Sequence, residues 1–279
     1  MAAAIKRKAG LSIGGDLSRE NLKKLKSAGF GAVEVKFIDE DRDKINWKSL
    51  SSGAREAGIL LWSFHLPFLP FSRLDISSLD GDIRKNTLCF LGELIKRAGD
   101  AGIKNMVIHP SGEPIPDNDR GEKLKFAKET LFTLAGEASG AGGVLCVENL
   151  PRTCLGKNIE EILDLVSVTD KLRVCFDTNH LLGEGNTIQS FLPRVSDKLQ
   201  TIHVSDYDFI NERHWLPGEG KIDWAGFMDM LDEVRYSNPF IYEVGYESLT
   251  RNRPRPLENA DFIKNFAELC QRVKPSVIE

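Results

Sequence analysis

Eight short apolar, β-branched runs alternate with eight longer segments of helical period, and polar side chains gather just past the ends of the apolar runs. Strict alternation implies a parallel sheet with right-handed crossovers. Polar residues at nearly every strand exit imply a ring of loops facing one centre, which suits a closed (β/α)8 TIM barrel better than an open doubly wound sheet. No Pro- or Gly-rich linker or low-complexity segment interrupts the pattern, so residues 1–279 read as a single α/β domain.

The strands are expected at 10–13, 32–37, 59–64, 105–109, 144–148, 172–176, 199–204 and 240–244. Helices are expected at 19–28, 47–57, 83–101, 123–139, 159–168, 187–195, 224–234 and 257–272. Ser18 stands where an N-cap should, before the apolar pair Leu22 and Leu25. Gly29, Gly58 and Gly102 each follow a helix at the left-handed stop position and precede a strand, so the repeated Ala-Gly-Phe and Ala-Gly-Ile triplets are punctuation. The long loops 67–70, 110–116 and 209–220 begin soon after histidine-bearing strand ends, where loops carry function.

Composition narrows the function classes. A net charge of −4 and a pI near 5.8 argue against a nucleic-acid partner, which favours a basic face. The basic start MAAAIKRKAG leads into no apolar stretch of signal-peptide length, and no run approaches the ~18 apolar residues of a membrane span. Five cysteines without a C-x-x-C pair fit a reduced, cytoplasmic protein. The outer ring of helices leaves a homo-oligomer open, although no patch singles itself out.

All five histidines follow or adjoin an apolar run: SFHLPF (His65), VIHPSGEP (His109), CFDTNH (His180), IHVSDYD (His203) and ERHWLPGEG (His214). Glu148 in LCVENL, Asp177 in VCFDTN and Glu243 in FIYEVG hold the same kind of position. Glu148, Asp177, His203 and Glu243 come from four consecutive strands, which closure would bring to one sector of the rim. Three carboxylates and one imidazole make a hard site suited to one divalent ion: Mn²⁺, Mg²⁺, Co²⁺ or Zn²⁺. A lone barrel acid is usually a salt-bridged wall residue; four such ligands on adjacent strands are harder to explain that way. His65 and His109 are open to three roles, polarising substrate oxygens, binding a second metal or capping barrel strands, of which substrate contact is favoured; His214 and Arg213 are further substrate-binding candidates, Arg213 for a carboxylate or phosphate. Glu34, in the second strand's VEV, points to the rim or to a neighbouring strand's amide, so a substrate contact and a structural role are equally open.

Taken in order, FHLPF, VIHPS, VENLP, FDTNH, HVSD, HWLPGEGKIDW and YEV resemble the xylose-isomerase-like barrels, especially the sugar phosphate isomerases/epimerases near the ketose 3-epimerases. The resemblance runs from LSIGG to the last strand. It implies that Glu148, Asp177, His203 and Glu243 bind the metal and that His180 touches substrate oxygen. It also implies proton abstraction α to a carbonyl, for which Glu148 and Glu243 are the expected base and acid on a small carbohydrate. Two positions depart from those epimerases: Phe209 stands where they carry a substrate-binding arginine, and Cys154 where they carry a second glutamate.

Other readings remain. The same superfamily contains endonuclease IV, a trinuclear zinc enzyme cutting DNA at abasic sites. Its ligands would fall on His65, His109, Glu148, Asp177, His180, His203, Glu212, His214 and Glu243. The acidic pI and the apolar LPFLPFSRLD loop speak against it. A keto-sugar or keto-inositol lyase or dehydratase would share the proton abstraction, and a barrel retaining only ligand binding would hold no metal.

Overall fold

The computed structural model describes residues 5–36, 45–183, 185–247, 253–276 and 278. The strands are β1 (Ala9–Ile13), β2 (Ala32–Lys36), β3 (Leu60–His65), β4 (Asn105–Ile108), β5 (Val144–Glu148), β6 (Leu172–Asp177), β7 (Leu199–Val204) and β8 (Phe240–Tyr242). They pair in parallel in sequence order, and β8 closes onto β1. The result is a (β/α)8 barrel, as the alternation predicts. Its helices are α1 (Arg19–Ala28), α2 (Trp47–Ala57), α3 (Gly81–Asp100), α4 (Asp117–Gly140), α5 (Ile159–Val166), α6 (Ile188–Val195), α7 (Trp224–Glu233) and α8 (Asn259–Cys270).

Strand periodicity decides what the barrel holds. On β5, Leu145 and Val147 face the helices, so Cys146 and Glu148 face inward. The same two-residue period turns Cys175 and Asp177 of β6, Thr201 and His203 of β7, Glu34 of β2 and His65 of β3 inward. Their neighbours Phe176, Ile202, Val33, Val35 and Phe64 join the outer core. Burying one such leucine- or phenylalanine-sized side chain stabilises by roughly 1.5–3 kcal/mol, so a one-residue slip in register would be strongly penalised. Val107, Cys146 and Cys175 form an apolar plug beneath the polar layer.

The expected caps are present. Ser18 accepts from the Asn21 amide, and Gly29, Gly58 and Gly102 have φ of 119°, 67° and 89°. Helix α4 begins at Asp117, before the expected 123, because Pro116 turns the chain and Asp117 and Asp119 favour the positive helix start. The polar run there hides the apolar period. Strand β8 ends at Tyr242, leaving Glu243 just beyond it, and Phe37, the expected end of β2, lies outside the described residues.

The HWLPGEGKIDW segment is a scaffold for the loop after β7. Buried Asp206 accepts from the amides of Tyr207, Gly218 and Ile222 and from Trp224 Nε1. A Cβ at Gly220 would stand 2.3 Å from Asp206 Oδ1 and from the Tyr207 carbonyl, so only glycine fits the turn. Glu219 pairs with the fully buried Arg253. This network fixes the loop that carries Glu212 and His214 to the site.

Candidate active site

Glu148 is the hub at the C-terminal mouth of the barrel. Its Oε2 lies 3.2 Å from His65 Nε2 and 3.4 Å from His109 Nε2. Its Oε1 lies 3.2 Å from His203 Nδ1 and 3.4 Å from His180 Nδ1. Glu243 approaches the same His203 Nδ1 at 3.1 Å from the other side. Burial alone would raise the Glu148 pKa, but His203, His109 and His65 hold it well below the usual carboxylate range. Burial likewise opposes ionised Glu243, and Lys36 and His203 outweigh it. Both carboxylates are therefore anions at neutral pH.

Asp177 is different. Its Oδ1 accepts from the Asn179 amide at 2.6 Å, whereas the buried Oδ2 has no hydrogen-bond partner. The nearest imidazole nitrogen, His180 Nδ1 at 3.5 Å, is committed to the Asn149 carbonyl at 2.8 Å. Burial pushes Asp177 up to about 6 despite His180. An orphaned buried oxygen is costly unless something binds it. Ligand atoms of Glu148, Asp177, His203 and Glu243 all lie within 4.8 Å of one another, so this hard donor set fits a divalent cation. Among the described residues three further groups satisfy the same test: His65, His109 and Glu148; Glu148, Cys175 and His203; and His180, Glu212 and His214.

The orientation of His203 is set from behind. Its Nε2 sits 2.9 Å from Glu34 Oε2, leaving Nδ1 for the cavity. Glu34 is fully buried and also accepts from the hydroxyls of Ser12 and Ser63 at 2.9 and 2.7 Å. Of the two roles open to Glu34, the geometry favours the structural one and not the substrate contact: its carboxylate lies beneath a candidate ligand. Arg213 as a substrate contact is corrected. Its Nε binds Asp208 at 2.8 Å and its guanidinium lies over Trp215, away from the cavity.

His65, His109, His180 and His214 do line the cavity, which measures about 130 Å³ and is open at the mouth. His109 stacks on Phe68 with ring centroids 4.0 Å apart, and His65 Nδ1 is 2.9 Å from the Leu66 carbonyl. Burial pushes the His109 pKa down, partly offset by Glu148. His180 rises to about 10, because Asp177, Glu212 and Glu148 outweigh burial. Of the departing positions, Cys154 is buried in the cavity wall and Phe209 is exposed on the rim.

Three residues that the sequence reading passed over stand at the site. Lys36, the last residue of β2, puts Nζ 3.2 Å from Glu243 Oε1. Its pKa is raised, first by Glu243. Arg152 and Glu113 line the cavity as an ion pair. Strand-end position alone could have pointed to Lys36; nothing in the pattern marks the other two.

A (β/α)8 barrel with inward carboxylates and imidazoles converging at its C-terminal mouth is the architecture of a rim-site barrel protein. Residues 22–266 match the family model described as the xylose isomerase-like TIM barrel, and the chain belongs to that family. It is similar to the D-psicose 3-epimerase of Ruminiclostridium cellulolyticum, 25% identical over 240 residues, covering 80% of this chain and 76% of that protein. It is also similar to the "Probable endonuclease 4" of Acholeplasma laidlawii, 26% identical over 201 residues, covering 65% and 66%. Among solved structures, a D-tagatose 3-epimerase-like protein superposes with a TM-score of 0.77 at 23% identity, covering 95% and 96%, which is a likeness of fold.

Proposed function

We propose that this protein is a divalent-metal-dependent isomerase or epimerase of a small sugar or sugar derivative, working by proton abstraction α to a carbonyl. The observation that carries the reading is the orphaned Asp177 oxygen set among Glu148, His203 and Glu243. Those four residues would hold one ion. When bound, the cation polarises a carbonyl oxygen and thereby acidifies the adjacent C–H bond.

The chain's own residues supply the proton traffic. Glu148 and Glu243 flank His203 Nδ1 at 3.2 and 3.1 Å, so two anionic carboxylates face the space beside one ligand. One takes the proton from carbon, and the other delivers to the opposite face a proton that it first takes up from solvent. Lys36 keeps Glu243 charged, and Glu34 fixes the His203 ring. His109 would donate to a substrate oxygen; both ring nitrogens of His65 and of His180 are already engaged, by Leu66 and Glu148 and by Asn149 and Glu212, so those two would reach substrate only by releasing a carboxylate. Phe68 and Phe71 limit water over that part of the cavity.

The test is solvent-deuterium wash-in with a panel of ketoses, with and without chelator. Label at the carbon next to the carbonyl, lost with EDTA, supports the reading; no label in any ketose overturns it. Such label would also accompany a dehydratase or lyase, which product analysis distinguishes.

A specific observation favours a second reading. Three of the four ligand groups, those without Cys175, together contain every residue of the endonuclease IV-like set, Glu212 lying with His180 and His214. Nicking of abasic-site DNA by protein holding three ions per chain would establish that activity; one ion per chain and intact DNA would exclude it.

A further inference from the structure

We propose that Arg152, together with Glu113 and Glu212, is the specificity group of this site and that it selects an uncharged polyol over a sugar phosphate or sugar acid. This rests on the proton-abstraction reading and goes beyond it by naming the substrate class.

The three residues come from three different loops, those after β5, β4 and β7. Arg152 Nε donates to Glu113 Oε2 at 3.0 Å, its Nη2 donates to the other oxygen of Glu113, and its Nη1 donates to Glu212. Glu212 in turn meets His180 Nε2 at 2.9 Å. The chain of charges thus runs across the cavity mouth to an imidazole beside Asp177.

An exposed ion pair is ordinarily incidental. This one is built. Arg152 has φ of 53°, a left-handed conformation that an arginine holds only when its surroundings impose it. The surroundings do so. Arg120 donates to the carbonyls of Thr153 and Cys154, both at 2.8 Å, and pairs through both nitrogens with Glu161. The Leu155 amide donates to Ser111 Oγ, the Gly156 amide to Glu161, and the Ile115 amide to Thr153 Oγ1. The loop's stiffness presents one guanidinium over the cavity.

Donor and acceptor chemistry then chooses the ligand. Fixed guanidinium donors lie next to carboxylate acceptors, an alternation that vicinal hydroxyls satisfy because each hydroxyl both donates and accepts. A phosphate or carboxylate can only accept and would be set against Glu113 and Glu212.

The experiment uses the manganese-loaded protein and two readouts. Calorimetry measures binding of xylitol and sorbitol, which lack a reactive carbonyl, and of their phosphates. Wash-in kinetics measure KM for matched neutral and phosphorylated ketoses. The proposal expects neutral polyols to bind more tightly than their phosphates. Arg152→Gln and Glu113→Gln should each weaken neutral-polyol binding and raise KM by ~10–100-fold, the loss of a charge-assisted hydrogen bond. Arg152→Lys keeps the charge but not the fork and should recover only part of the loss. Thermal melts identify any variant that fails to fold. Unchanged polyol binding in folded Arg152→Gln and Glu113→Gln overturns the proposal. So does tighter binding of phosphates that is lost in Arg152→Gln, which would make the arginine an anion receptor. If wild type labels ketoses but the variants keep its KM, the inference fails alone; if wild type labels none, the underlying reading fails with it.

Discussion

Replacing Asp177 with asparagine should stabilise the metal-free protein and abolish its response to metal. In the fold, Asp177 is fully buried with one unbonded oxygen, and its pKa is pushed up to about 6 from an ordinary 3.8. The sign follows from linkage: a carboxyl with a raised folded-state pKa opposes folding once ionised, and the penalty is relieved as pH falls from about 6 toward 4. At pH 7 a displacement of this size corresponds to about 3 kcal/mol. In Asp177→Asn the new amide would keep the bond from the Asn179 backbone through its own oxygen and turn its NH₂ toward Glu148 and Glu243, both acceptors. The chelated variant should therefore melt on the order of 5 °C above chelated wild type at pH 7, with the gap closing near pH 4. Manganese should raise the wild-type melting temperature and leave the variant's nearly unchanged. Thermal denaturation in EDTA and in excess manganese reads both effects. A variant that is less stable without metal, or that responds to manganese as wild type does, would refute the reasoning.

Further expectations follow from the same geometry. Glu34→Gln should fold but bind manganese ~10–100-fold more weakly by calorimetry, because His203 loses the carboxylate that orients it; unchanged affinity would remove Glu34 from that role. Manganese affinity should fall between pH 8 and pH 6. Despite burial, Asp177, Glu212 and Glu148 hold the His180 proton, and Glu34, Glu148 and Glu243 hold that of His203, so a cation must compete with protons. Titrations at several pH values check this, and a flat profile contradicts it. Asp206→Ala should cost ~3 kcal/mol or more in urea unfolding, since it removes the acceptor of three amides and an indole at once; a near-neutral effect would mean the loop after β7 is held some other way.

The barrel was legible because its signals are local and repeated: apolar runs of strand length, helix stops at Gly29 and Gly58, and a polar residue at each strand exit. The convergence of Glu148, Asp177, His203 and Glu243 was legible for the same reason, since adjacent strands of a closed sheet must share a rim. What stayed hidden depends on contacts that spacing does not encode. Barrel closure carries Lys36 of β2 to Glu243 beyond β8, and Glu34 to His203 of β7. Arg213 reads as a free cation in the chain, but Asp208 in its own loop captures it. Arg152 gives no periodic signal, because its position comes from Arg120 and Ser111 gripping an irregular loop.

Anomalous diffraction from a crystal soaked in manganese tests the central claim most directly. The account predicts one peak, within coordination distance of Glu148, Asp177, His203 and Glu243. No peak among those four side chains, or three peaks of equal strength extending to the His65 and His109 pair and to the group of His180, Glu212 and His214, would contradict it.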